Sequence, residues 1–267
     1  MDNLGKRARG FALTNQKGGV GKTTTAVNLG ACLAEAGARV LLVDCDPQGN
    51  ATTGVGIDRS AVKIGTYEVL LGHDPSEALH AVAVDGLTVL PSTIDLAGAE
   101  VELVSQFARE TKLRTGLAAV GEDFDYVLID SPPSLGLLTV NALVAADTAL
   151  VPIQCEYYAL EGLGQLMRTV ELVADVNPGL RIEGVVLTMF DARTKLAEQV
   201  VGEVRTHFGD RVFRNVIPRS VRLSEAPGYG QPIITYDPSN RAATAYRDLA
   251  REVIERWPYP DGGGAGA

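Results

Sequence analysis

Lys22 and Thr23 close a run, Asn15-Gln16-Lys17-Gly18-Gly19-Val20-Gly21-Lys22-Thr23-Thr24, whose residue types suit it to hold a phosphate. Its three glycines let the backbone fold around an anion with the N–H groups turned inward. A helix opening at Lys22 would add its positive dipole end. The Lys22 ammonium would neutralise phosphate oxygens, and the Thr23 hydroxyl would face Mg²⁺. The spacing departs from the usual loop, G-x-x-x-x-G-K-[ST], in two places. Gln16 stands where a glycine is expected, and a second lysine, Lys17, stands at the entrance.

Two carboxylates supply the remaining chemistry. Asp130 ends the apolar run Tyr126-Val127-Leu128-Ile129 and is followed by the small Ser131, as suits an acid that holds Mg²⁺ directly or through water. A lone strand-end Asp also looks like a helix N-cap; an upstream phosphate loop favours the metal reading. Asp44 ends a second apolar run, Arg39-Val40-Leu41-Leu42-Val43. It is the best candidate to orient a water for in-line attack and to join Thr23 and Asp130 around Mg²⁺. Its alternative is an N-cap for the next turn.

The elements that must position these groups alternate. Strands are expected near 10–14, at 39–43, 87–91, 126–129, 149–153 and 184–188, and near 212–217. Helices are expected at 22–36, 97–107, 110–121, 136–145, 160–176 and 195–208, with a turn and a short helix within 50–85. The continuous apolar runs are those of strands buried on both faces of a parallel sheet. After 217 a polar loop is expected through Gln231. Ser239 or Asn240 then caps a last helix whose Ala242, Ala245, Tyr246, Leu249, Val253 and Trp257 share one face. The pattern predicts a single doubly wound α/β domain over 10–257, with a mostly parallel sheet flanked by helices. Residues 1–9 form a basic arm, and the Pro/Gly-rich residues 258–267 a disordered tail. Ligands of such folds sit outside the carboxyl ends of strands, where the glycine loop, Asp44 and Asp130 all fall.

The net charge of −9 argues against a uniformly basic coat for nucleic acid but leaves room for a local basic face. Residues 181–222 hold eight Lys/Arg against five Asp/Glu, a balance of +3 that leaves −12 to the remainder. Cys32, Cys45 and Cys155 form no C-x-x-C pair, so buried free thiols in a cytoplasmic protein are expected. No run approaches membrane-spanning length, and the final helix carries a core-like stripe, so stable membrane association is not expected.

The tract Lys17 to Thr23 resembles the deviant Walker A motif. Together with Asp44-Cys45-Asp46-Pro47-Gln48-Gly49-Asn50 and Asp130-Ser131-Pro132-Pro133-Ser134, it is similar to the nucleotide motifs of ParA/Soj chromosome-partitioning ATPases. Residues 154–162 and Val221-Arg222-Leu223-Ser224-Glu225-Ala226-Pro227 also resemble that family, so the likeness runs from about 10 to 256. It implies a slow ATPase that uses ATP and Mg²⁺. ATP would be sandwiched in a homodimer, held by residues 17–24 (Lys17, Gly18, Gly19, Val20, Gly21, Lys22, Thr23, Thr24) with Asp130. Lys17 would reach the phosphates of the other subunit. The adenine-contacting segment would be Pro218-Arg219-Ser220, and Arg193 and Arg222 would bind double-stranded DNA of the nucleoid without sequence preference. A ParB/Spo0J-type partner would stimulate hydrolysis. A membrane-binding relative of the MinD type, a metabolic ligase or kinase, and an iron–sulfur reductase are weaker alternatives.

Overall fold

Alternation of side chains along each inner strand divides the core into two layers. In the computed structural model, which describes residues 8–157 and 163–259, β1 (Arg9–Leu13), β2 (Val40–Asp44) and β5 (Tyr126–Asp130) are almost wholly buried. Phe11, Leu13, Val40, Leu42, Tyr126 and Leu128 face one layer, and Ala12, Leu41, Val43, Val127 and Ile129 the other. A strand with no solvent face needs helices on both sides, as the continuous apolar runs predict.

Five further strands complete the sheet: β3 (His80–Ala81), β4 (Leu87–Leu90), β6 (Thr148–Gln154), β7 (Arg181–Phe190) and β8 (Val212–Pro218). The order is β3-β4-β2-β5-β1-β6-β7-β8, parallel throughout except for β3 against β4. The chain leaves β1 for β2 on one side, returns to β5, and crosses β1 to β6. That reversal opens a crevice at the carboxyl end of β1, where α/β sheets bind ligands.

The helices are α1 (Lys22–Glu35), α2 (Asn50–Gly54), α3 (Thr66–Leu70), α4 (Leu96–Leu103), α5 (Lys112–Leu117), α6 (Leu137–Ala145), α7 (Leu163–Val173), α8 (Lys195–Phe208), α9 (Val221–Glu225), α10 (Ile233–Tyr236) and α11 (Arg241–Arg256). Asn240 caps α11 by accepting from the Ala242 N–H at 3.0 Å. Ala242, Tyr246, Leu249 and Val253 are buried in the layer shared with α1. The three cysteines are free and buried.

Several expectations need correction. The stretches 97–107 and 110–121 hold shorter helices, because Val104 and Phe107 find no apolar cover and Ala108 turns left-handed at φ 53°. The short antiparallel β3 was not expected, and the polar loop after β8 carries α9 and a 3-10 turn, with α10 just beyond it. Both expected boundaries also shift. Arg9 belongs to β1 and pairs with Glu183, while Tyr259 is buried against Tyr126 and donates to the Ala36 carbonyl at 2.8 Å. The expected arm over residues 1–7, the tail over 260–267, the helix start at Leu160 and the family-like residues 158–162 lie outside the described residues. Among the described residues no helix is long and apolar enough to cross a membrane.

Edge strand β8 is held by one buried carboxylate. Glu252 of α11 accepts from the backbone N–H groups of Arg214 and Asn215, both at 2.9 Å, and from their side chains. Its removal takes the charged acceptor from two part-buried backbone donors of β8. Glu252→Ala should cost about 3 kcal/mol and lower Tm by roughly 6–12 °C in calorimetry, whereas Glu252→Gln keeps an acceptor and should lose less.

Candidate nucleotide site

The phosphate loop joins β1 to α1 and takes its curvature from two left-handed glycines, Gly19 at φ 74° and Gly21 at φ 90°. A Cβ at Gly18 or Gly19 would meet no atom within 4 Å, and both glycines line the cavity described below. Three strand exits fix it. Asn15 donates to the Pro152 carbonyl of β6 at 2.8 Å and accepts from the Lys17 N–H at 3.0 Å. The Thr188 hydroxyl of β7 donates to the Val20 carbonyl at 2.8 Å. Thr23 donates to Asp130 Oδ2 of β5 at 2.7 Å.

Lys22 is buried beneath the loop and donates to the Lys17 carbonyl. Burial holds its ammonium below the usual lysine pKa, against the opposing charges of Asp130 and Asp46. Lys17 differs. It is half-buried at the loop's entrance, and its ammonium has no hydrogen bond or ion pair among the described residues.

Asp44 and Asp130 end neighbouring strands in direct register, both fully buried. Asp44 accepts from the Thr52 N–H at 2.8 Å and hydroxyl at 2.6 Å, and from the Asp46 N–H at 3.2 Å. Burial pushes it up to about 6 despite those bonds. Burial, and then the charge of Asp44, push Asp130 well above the carboxylate range. Its second oxygen, Oδ1, is buried with no partner.

An orphaned buried acceptor beside a threonine hydroxyl fits a hard divalent cation. Among the described residues no cluster of three His, Cys, Asp or Glu suits a metal, so an ion here needs water and phosphate oxygens to complete its shell, as Mg²⁺ usually does. Thr23 and Asp130 fit that ion. Asp44 stands beside them, its oxygens bonded to the Asp46 and Thr52 N–H groups and to the Thr52 hydroxyl; the cap of α2 is Gly49.

A cavity of about 810 Å³ opens above the loop, within the range of small-molecule sites. Gly18, Gly19 and residues 21–24 line it, as do Asp46 and Gln48 after β2, and Pro218, Arg219 and Ser220 at the end of β8. The segment expected at the adenine therefore lies on the phosphate cavity. Sequence reasoning assigned no role to Asp46, Thr52, Thr188 or Met189. Asp46 and Thr188 follow or end apolar strands and were detectable by position; left-handed Met189, at φ 54°, was not.

The basic segment divides. Arg193 follows β7, Arg222 lies on α9 and Arg219 follows β8, its N–H bonded to the Phe190 carbonyl at 2.9 Å. All three follow the carboxyl ends of β7 and β8, and Arg219 lines the cavity. Arg181, Arg211 and Arg214 sit at or near the amino ends of β7 and β8, so the +3 balance is not one face. Arg193 is bidentate to Asp191, at 2.8 and 2.6 Å, and Arg222 meets Glu225 at 3.1 Å. Exposed pairs of this kind are weak and can yield to phosphate.

Residues 8–182 match a family model described as an AAA domain. The chain is 59% identical over 245 residues to the sporulation initiation inhibitor protein Soj of Bacillus subtilis (strain 168), covering 91% of this chain and 97% of Soj. It is 54% identical over 252 residues to the chromosome partitioning protein ParA of Caulobacter vibrioides, covering 93% and 94%. The chain belongs to the ParA/Soj family of chromosome-partitioning ATPases. Among solved structures, cobyrinic acid a,c-diamide synthase from Mycobacterium smegmatis with bound ADP and magnesium shares 42% identity, with TM-score 0.83 over 94% of this chain and 95% of that one. The Pyrococcus furiosus cell division ATPase MinD shares 26% identity at TM-score 0.76, over 93% and 99%. The family's fold is thus the fold seen here, and family membership makes the chain an ATPase.

Because Asp130 is buried beside a like charge, it penalises the nucleotide-free protein at neutral pH. A carboxyl raised in the folded state contributes stability below its unfolded pKa and loses it as pH rises through the folded value. Without nucleotide at pH 7.5, Asp130→Asn should therefore melt higher than wild type, by about 2–4 °C for each kcal/mol relieved. With excess Mg²⁺-ATP the order should reverse. A lower melting point without nucleotide would contradict the charge assignment.

Proposed function

We propose that this protein is an ATP-controlled DNA-segregation switch. ATP with Mg²⁺ occupies the cavity, two chains close over it as a homodimer, and the dimer holds double-stranded DNA without sequence preference. Loop N–H groups and Lys22 bind the phosphates, while Thr23 and Asp130 hold Mg²⁺, which would offset charge on the transferring phosphoryl group. Asp44 orients the attacking water once its loop responds to nucleotide. Pro218, Arg219 and Ser220 flank the base. The M. smegmatis relative with bound ADP and magnesium supports the choice of ligand.

The observation that carries the dimer reading is Lys17, a cation next in sequence to the cavity-lining Gly18, with no ion pair among the described residues. Supplied to a partner's γ-phosphate, it makes charge compensation depend on association. Ile94, Val101, Val104 and Phe107 leave apolar surface, at 59–94% exposure, after the carboxyl end of β4 that association can cover. Arg193 and Arg222, which follow the carboxyl ends of β7 and β8, form the DNA face. A DNA-bound ParB/Spo0J-type protein accelerates hydrolysis and releases the dimer, which works in the cytoplasm on the nucleoid. The membrane alternative loses support because the apolar stripe of α11 is spent in the core. A metabolic synthase, the kind of activity named for the M. smegmatis relative, would respond to its metabolite and not to DNA.

The test is a DNA titration with ATP, ADP and no nucleotide, with particle size measured in parallel. Tight binding by an ATP-dependent dimer only is expected; equal binding in all three states would refute the switch. Arg193→Ala and Arg222→Ala should weaken binding to all sequences alike, each lowering the salt slope by about one. Asp44→Ala should still dimerise with ATP but turn over roughly a hundredfold more slowly; normal turnover would remove its role.

A further inference from the structure

The loop after β2 is strapped from outside by a side chain that no nucleotide motif contains. Arg59 stands on a 3-10 turn, Arg59–Ala61, pinned by Asp58, whose Oδ1 accepts the Ser60 N–H at 2.9 Å. Its guanidinium donates to three carbonyls: Gln48 at 2.6 Å, Pro47 at 2.8 Å and Ser92 at 3.1 Å. The first two belong to the loop that lines the cavity with Asp46 and Gln48. The third belongs to the segment after β4.

Ser92 completes the strap. Its hydroxyl donates to the Asp46 carbonyl at 2.8 Å, and its N–H donates to the Thr52 hydroxyl at 2.9 Å, the hydroxyl that bonds Asp44. The fit is tight. A Cβ on Gly49, itself left-handed at φ 65°, would lie 2.2 Å from Arg59 Nε, so Gly49 both turns the loop and leaves room for the guanidinium. One planar fork therefore gathers three carbonyls, from two segments, around the loop that Asp44 and Asp46 start.

We propose that Arg59 is a positioning residue for ATP hydrolysis: by clamping the Pro47, Gln48 and Ser92 carbonyls it fixes the loop that presents Asp44, Asp46 and Gln48 to the phosphates. It is not among the residues that line the cavity. The phosphate loop, which supplies the binding contacts, makes none of these bonds. Loss of Arg59 therefore lowers turnover with little effect on nucleotide affinity, since small misplacements at a reacting centre cost rate steeply. A lysine offers one point charge without the fork, so it replaces only part of the clamp. The inference rests on the cavity being the ATP site.

The experiment measures phosphate release and fluorescent ATP binding, with Mg²⁺ and double-stranded DNA, for wild type, Arg59→Ala, Arg59→Met, Arg59→Lys and Lys22→Ala, with a melting curve for each. Arg59→Met keeps the apolar stem, so it guards against a folding failure of Arg59→Ala. Expected are a kcat lowered roughly tenfold to hundredfold in Arg59→Ala and Arg59→Met, an ATP Kd within about threefold of wild type, and an intermediate kcat in Arg59→Lys. Unchanged kcat overturns the proposal. So does a parallel loss of kcat, affinity and melting temperature in both variants, which would make Arg59 a purely structural residue. If Lys22→Ala binds and hydrolyses ATP like wild type, the cavity is not the ATP site and both readings fall; if only Lys22→Ala behaves as expected, Arg59 alone is refuted.

Discussion

Two carboxylates, Asp44 and Asp130, are buried side by side at the ends of neighbouring strands, and the rest of the site answers to them. Burial raises both carboxyls, and the charge of Asp44 raises Asp130 further. Lys22, itself desolvated, offsets part of the charge, and Asp130 keeps one oxygen without a partner. Such a site is poised for a cation. The strand order creates it: β2 and β5 are sequence-distant neighbours, and β1 beside β5 brings the phosphate loop over both. Placing β2 elsewhere in the sheet would leave a loop that binds phosphate without a second acid beside it.

The same geometry links the cavity to the basic loops. Thr188, at the end of β7, touches the phosphate loop through Val20, and the chain continues through Met189 to Asp191 and Arg193. Arg219 is bonded by its backbone to Phe190 and lines the cavity. The cavity lining and the arginines proposed to bind DNA therefore leave the sheet from the same two strand ends. A change in cavity occupancy has only a few residues to cross before it reaches Arg193.

Much of this was legible in the sequence because it depends on local pattern. The continuous apolar runs before Asp44 and Asp130 require strands buried on both faces, and glycines at 18, 19 and 21 require a curled loop. The Lys195–Phe208 helix falls where the sequence pattern places one. What escaped depends on tertiary contact. Nothing local ties Arg59 to Pro47, or Ser92 to Thr52, since those partners meet only when β2 and β4 pair. The positive balance over 181–222 misled for a related reason. Counting along a chain ignores that parallel strands start and end at opposite edges, so Arg181 and Arg193 belong to one strand–loop unit yet point to different ends of the molecule. Tyr259 was read as tail because Pro and Gly surround it, although its ring fills a gap beside Tyr126.

The central claim is that each ATP site is completed by Lys17 of a second chain, and subunit mixing tests it most directly. Lys17→Ala retains Asp44 but offers no lysine to its partner, and Asp44→Ala offers the lysine but lacks the acid. Each alone should be nearly inactive with ATP, Mg²⁺ and DNA. Mixed in equal amounts they should recover roughly a quarter of wild-type turnover, because half of randomly assorted dimers then hold one complete site of two. Mixtures no more active than the separate variants, or full activity of Lys17→Ala alone, would contradict the account.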